Sequence, residues 1–107
     1  MTIKKEENVL QLVIHGLEEG HLFLSFDAIE QMQKREIKFS DICEAIYRSE
    51  REEHKDTYLE HPKTKRWSWR FAIRGKNDVG DKDLRIIFVI QNPKVIIVTA
   101  IDLNRRD

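Results

Sequence analysis

Apolar positions recur at helical spacing through the first 50 residues, and from residue 57 onward they alternate. Over residues 8–19 the stripe of Val9, Leu10, Leu12, Val13, Ile14 and Leu17 predicts a helix that stops at Gly20. The short apolar run HLFL follows, with His21 at a strand start. Ser25 then suits the N-cap of a second helix, in which Phe26, Ile29 and Met32 recur at threes. After the interruption REIKF, Ser40 or Asp41 is expected to cap a third helix. Glu44 would return a capping-box bond to Asp41, and Ile42, Ala45 and Ile46 would face inward, with an end near Ser49.

Residues 50–56 (EREEHKD) read as a charged connector. Strands are expected over residues 57–60, 66–74, 83–90 and 95–103, separated by HPKTK, GKNDVGDK and QNPK, whose Pro, Gly, Asn and Asp residues are turn formers. In RWSWRFAIRG, extension puts Arg66, Ser68, Arg70, Ala72 and Arg74 on one face and Trp67, Trp69, Phe71 and Ile73 on the other, which reads as the core face. The last strand is apolar on both faces over residues 95–98, which predicts an interior position in the sheet. Helices first and a meander after them predict a single α+β domain over residues 1–107, its helices packed on one face of a small antiparallel sheet.

Composition narrows the function classes. Hydrophobic residues make up 40% and charged residues 36%, as in a globular domain and unlike a disordered chain. No apolar run approaches the ~18 residues that span a bilayer, so no membrane partner is expected. The start MTIKKEENVLQ lacks the apolar segment of a secretory signal, which points to the cytoplasm. Cys43 is the sole cysteine and has no intramolecular disulfide partner. His15, His21, His54 and His61 lack zinc-like spacing, and neither phosphate-loop nor dinucleotide motifs occur; neither a metal nor a cofactor is expected.

The net charge of zero hides a division. Residues 1–60 hold 8 Lys+Arg against 14 Asp+Glu, a balance of −6, and residues 61–107 hold 11 against 5, a balance of +6. Within residues 61–74, Lys63, Lys65, Arg66, Arg70 and Arg74 occur with no acid among them. Pairing of the two strands across GKNDVGDK would add Arg85 to the arginine face. Guanidinium groups about 13 Å apart along a strand suit phosphate, which their planar fork binds in a bidentate way. The competing account is internal: cross-strand pairs of Arg70 and Arg85 with Asp83 or with glutamates of a neighbouring strand. Trp67 and Trp69 read as packing residues rather than base-stacking ones.

The segment SFDAIEQMQKREIKFSDICEAI resembles the pattern His-Ala-x-x-Arg-Met-x-x-Arg-Gly-Ile of small bacterial toxin-like domains. Ala28, Met32, Arg35 and Ile37 match it, while Asp27, Gln31 and Glu36 stand in place of His, Arg and Gly. The order of elements also resembles the motility quorum-sensing regulator type of mRNA interferase, and both groups resemble the RelE-type ribonuclease fold. The resemblance implies a metal-independent endoribonuclease that cuts messenger RNA. It also implies a cognate antitoxin partner, typically one with a zinc-binding domain. By position it implies functional roles for His54 or Lys55, Arg70, Arg74 and Arg85; the family's tyrosine and glutamine have no counterpart here. In such a reaction Arg70 and Arg85 would stabilise charge on the phosphorane, and His54 would serve as acid or base, ahead of His61 and Lys55. Lys63, Lys65, Arg66, Arg74 and Lys76 would contact RNA phosphates. The alternative is a non-catalytic RNA- or protein-binding module of the same fold.

Overall fold

The computed structural model describes residues 5–105, so the first four residues of MTIKKEENVLQ lie outside it. Its elements are α1 (Val9–Glu18), β1 (Leu22–Leu24), α2 (Phe26–Lys34), α3 (Phe39–Tyr47), β2 (Glu50–Arg51), a 3-10 turn (Glu53–Lys55), β3 (Thr57–Glu60), β4 (Trp67–Lys76), β5 (Asp83–Gln91) and β6 (Lys94–Asp102). The fold is α+β, with three helices ahead of a six-stranded sheet in which β1, β6, β5, β4 and β2 lie side by side. β3 pairs with β4 on the edge that β2 also uses.

The meander β4–β5–β6 is antiparallel, as expected, and β6 is interior, flanked by β5 and β1. β1 departs from that pattern: it runs parallel to β6, with Leu22 opposite Val95 and Leu24 opposite Ile97, so the sheet is mixed. α2 starts where β1 ends. Ser25 donates its backbone N–H to the Ile97 carbonyl at 2.9 Å, and its hydroxyl accepts from the Ala28 N–H at 3.0 Å, the cap expected from the sequence. Further along the same edge, the Ala100 carbonyl accepts from Arg35 Nη1 at 2.8 Å, so a side chain satisfies an acceptor that no strand reaches.

This launch point sets the rotation of α2. Ala28 and Met32 are buried, whereas Phe26 is 91% exposed and Ile29 also faces solvent. The spacing by threes therefore marked only one core residue. α3 also begins earlier than expected. Lys38 is the N-cap and Asp41 is the third helical residue, accepting from the Lys38 N–H at 2.9 Å. Glu44 is thereby freed to accept from the Asp78 N–H at 2.8 Å, and Asp41 from Asn77 Nδ2 at 3.1 Å. The helix start and the β4–β5 turn hold each other in place.

The core lies between the helices and one sheet face. Val9 and Val13 of α1 and Ile42, Ala45 and Ile46 of α3 pack over Phe71, Ile73, Leu84, Ile86, Phe88 and Ile97. Two glycines permit the closest approaches: Gly16 of α1 lies against Val95, and Gly75 of β4 lies under the α3 backbone at Ala45 and Ser49. Glu36, where the resembled pattern carries Gly, holds φ 57, a conformation Gly adopts at little cost.

The connector at residues 50–56 is more ordered than its charge suggested. Glu50 and Arg51 pair with Arg74 and Ile73, the chain turns through Glu53–Lys55, and β3 resumes opposite Arg70. Between these two pairings, at Ala72, side chains help to complete the ladder. Asp56 Oδ1 accepts from the Ala72 N–H at 3.0 Å, while the Ala72 carbonyl accepts from Arg51 Nη1 at 2.8 Å and from the Glu52 N–H at 3.0 Å.

Candidate nucleic-acid interface

The face of β4 and β5 turned away from α1 and α3 carries the arginines. Register places Arg74 opposite Arg85, Ala72 opposite Ile87 and Lys76 opposite Asp83, all on this outer face. Continuing β2 by one residue sets Glu52 beside Ala72 on the same face. From there its buried carboxylate takes both forks of Arg85, with Nε to Oε1 at 2.7 Å and Nη2 to Oε2 at 3.0 Å. Asp83 takes Arg74 in the same way, at 3.0 and 2.6 Å. A cleft of ≈ 680 Å³ opens beside these pairs, lined by Glu52, Arg74, Lys76 and Asp83.

These contacts keep the carboxylates ionised. The hydrogen bond from Arg85 is the main influence lowering the Glu52 carboxyl below its ordinary range; burial opposes it, and the fields of Arg85, Arg74 and His54 reinforce it. Asp83 is lowered chiefly by its hydrogen bond from Arg74, against burial. Asp56, on the helix side, is raised by burial but lowered further by Arg51, Lys5 and the Ala72 N–H, with a net shift downward. Carboxyls whose folded pKa is depressed contribute stability above their unfolded pKa, near 4, and lose it as pH falls through the folded value. The urea midpoint is therefore expected to be level from about pH 7 to 5 and to fall steeply below about pH 4. Asp83→Asn should flatten that fall, and an unchanged acid limb in this variant would contradict the assignment.

The candidate residues fall into three places. Arg74, Arg85 and Lys76 meet in the cluster just described, with His54 and Lys55 exposed on the 3-10 turn that follows Glu52. Lys63, Lys65 and Arg66 are exposed around the turn between β3 and β4, where Lys65 holds φ 59 and lies 3.8 Å from Glu60. His61 caps that turn: its Nδ1 accepts from the Lys63 and Thr64 N–H groups, both at 3.2 Å. Arg70 stands apart, half-buried in a groove of ≈ 430 Å³ that runs between β4 and α2.

Two readings of the sequence are corrected. Arg85 carries an internal counter-ion, as the competing account held, but Arg70 has none among the described residues: Asp83 pairs with Arg74 instead. Trp67 is not a core residue. It is 47% exposed and stacks on Tyr58 at 5.4 Å between centroids, because the β3–β4 ribbon runs past the end of the helical layer. Glu52 was missed. Its only signal is proximity to His54 in a stretch of seven residues of which six are charged, and its partner is 33 residues away.

Among the described residues, no group of three or more His, Cys, Asp or Glu side chains is arranged to hold a metal ion, and no helix is long and apolar enough to cross a membrane. No curated protein and no solved structure matches the chain. Residues 24–102 match one family model, an interval that runs from the end of β1 to the end of β6 and takes in every candidate residue. That span is 79 of 107 residues, and the chain belongs to the family described as a domain of unknown function, DUF4258.

Proposed function

We propose that this protein is a metal-independent endoribonuclease acting as the toxin of a bacterial toxin-antitoxin pair. The observation that carries the reading is the Glu52–Arg85 pair with Arg74 beside it, on a sheet face that α1 and α3 leave open. Cleavage of RNA without a metal needs a base for the 2′-hydroxyl, cationic groups for the phosphorane and an acid for the leaving oxygen. Glu52, held ionised by Arg85, accepts the 2′ proton as the 2′ oxygen attacks phosphorus. Arg85 and Arg74 face the charge that develops, and His54 protonates O5′ as the P–O5′ bond breaks. The products are a 2′,3′-cyclic phosphate and a 5′-hydroxyl.

Induced expression in a bacterium, with RNA ends mapped, tests this. Growth arrest with new cleavage ends is expected, and purified Glu52→Gln and Arg85→Ala chains should cut about 100-fold or more slowly. His54→Ala with undiminished cleavage would remove His54 from its role. Intact RNA and normal growth at full soluble expression would overturn the nuclease.

A second reading, a non-catalytic RNA- or protein-binding module, is favoured by one observation. Both arginines of the cluster are already neutralised inside the fold. RNA binding that weakens with salt, without any cleavage, would select it.

A further inference from the structure

The groove between β4 and α2 has the composition of a base-binding pocket. Its floor is Val89, Ile96 and Val98, half-buried apolar side chains of β5 and β6 on the outer face. The register shift near Ile87 and Phe88 leaves Val98 as an extra residue, so Val98 and Thr99 both reach the groove. Such a floor suits the flat face of a nucleobase.

Polar groups stand on opposite walls. From β4, the Arg70 guanidinium makes no ion pair or hydrogen bond among the described residues. From α2 come Asp27 and Gln31, four residues apart and therefore neighbours on one helix face. Gln31 Oε1 accepts from Arg35 Nη1 at 3.1 Å, and Arg35 is anchored in turn on the Ala100 carbonyl. This bond orients the amide and leaves its NH2 to donate. Asp27, exposed and without a hydrogen-bond or ion-pair partner among the described residues, offers two acceptor oxygens one helical turn away.

We propose that this groove is a base-reading subsite selective for guanine, with Asp27 and Gln31 reading the base and Arg70 holding its phosphate. The inference rests on the RNA reading above and names its specificity. Guanine presents O6 as acceptor beside N1–H and N2–H donors, the complement of an amide NH2 beside a carboxylate. Adenine reverses both: its N6–H donors meet the Gln31 NH2, and its N1 lone pair meets the Asp27 carboxylate. Uracil offers one donor between two carbonyl oxygens, and cytosine sets an acceptor where the carboxylate needs a donor. Arg70 is four residues from Arg74, about 13 Å along the strand, so a phosphate held at Arg70 is a short step from the Arg74–Arg85 cluster.

The test is calorimetric titration of the full chain with guanosine 3′-monophosphate and adenosine 3′-monophosphate, neither of which the proposed reaction cleaves. The guanosine compound is expected to bind about tenfold more tightly or better. Asp27→Asn should bring the two affinities together, and Arg70→Ala should weaken both alike; unchanged melting curves for the two variants would exclude unfolding as the cause. Equal affinities, no binding of either compound, or an undiminished preference in Asp27→Asn would overturn the subsite. Guanosine preference in a chain that cuts no RNA would leave the subsite standing and remove the nuclease. Cleavage at sites unrelated to guanine, unchanged by Asp27→Asn, would remove the subsite and leave the nuclease.

Discussion

Asp56→Ala is expected to destabilise the fold by about 3–5 kcal/mol, the cost of breaking a buried ion pair from one side. The Asp56 side chain is 1% exposed and answers three donors. Arg51 gives it a bidentate pair at 3.0 and 2.6 Å, Lys5 Nζ reaches it at 2.8 Å, and the Ala72 N–H donates at 3.0 Å. Ala72 is fully buried and sits where β4 loses β2 as a partner and has not yet gained β3. Alanine at position 56 would leave the Ala72 N–H without its acceptor and the half-buried Arg51 guanidinium without its counter-charge. For a chain of this size the melting midpoint should fall by roughly 10 °C or more. Arg51→Met in the Asp56→Ala background should recover part of the loss, because it removes the unpaired charge. A loss under about 1 kcal/mol in Asp56→Ala would show that the pair does not bridge the two strand segments.

Gly75→Ala is expected to cost about 3 kcal/mol, at the upper end of the range for overpacked sites. A Cβ at Gly75 would meet the Ala45 carbonyl oxygen head-on and lie 3.0 Å from Ser49 Cα and 3.1 Å from Ala45 C. These are backbone atoms at the end of α3, so no side chain can swing aside to make room. Relief would require α3 to lift from β4, loosening Ile42, Ala45 and Ile46 against the sheet. Val79→Ala, at the exposed tip of the β4–β5 turn, provides the comparison and should change stability by no more than about 0.5 kcal/mol. Urea unfolding of both variants checks this, and equal midpoints would show that α3 does not sit on a bare strand backbone.

The candidate site was legible in part. Alternation in RWSWRFAIRG placed Arg70 and Arg74 on one face, and turn chemistry at GKNDVGDK brought Arg85 beside them. The counter-ions were less visible. Asp83 could be anticipated as a partner because it opens β5, but its choice of Arg74 over Arg70 follows from register. Glu52 could not be singled out among the six charged residues of its stretch, because only the β2 pairing turns it toward Arg85. The same holds for the groove. Asp27 and Gln31 are helical neighbours in any reading, but the seating of α2 against β6, through the Ser25 bond to Ile97 and the Arg35 bond to Ala100, is what lets them line one groove with Arg70.

The sequence by itself determined the order and kind of the longer elements, the alternation that turns Phe71 and Ile73 of β4 and Leu84, Ile86 and Phe88 of β5 inward, and the Ser25 cap. All of these depend on spacing and on bonds between residues three or four apart, which a chain carries locally. Tertiary structure alone decided the parallel placement of β1, the cap register of α3, the short strand β2, and the exposure of Phe26 and Trp67. It also decided which arginines are neutralised and that Arg70 lines a groove with no ion-pair partner among the described residues. Each of these turns on a partner tens of residues away, and long-range register is set by the packing of the whole sheet, not by the composition of any one strand.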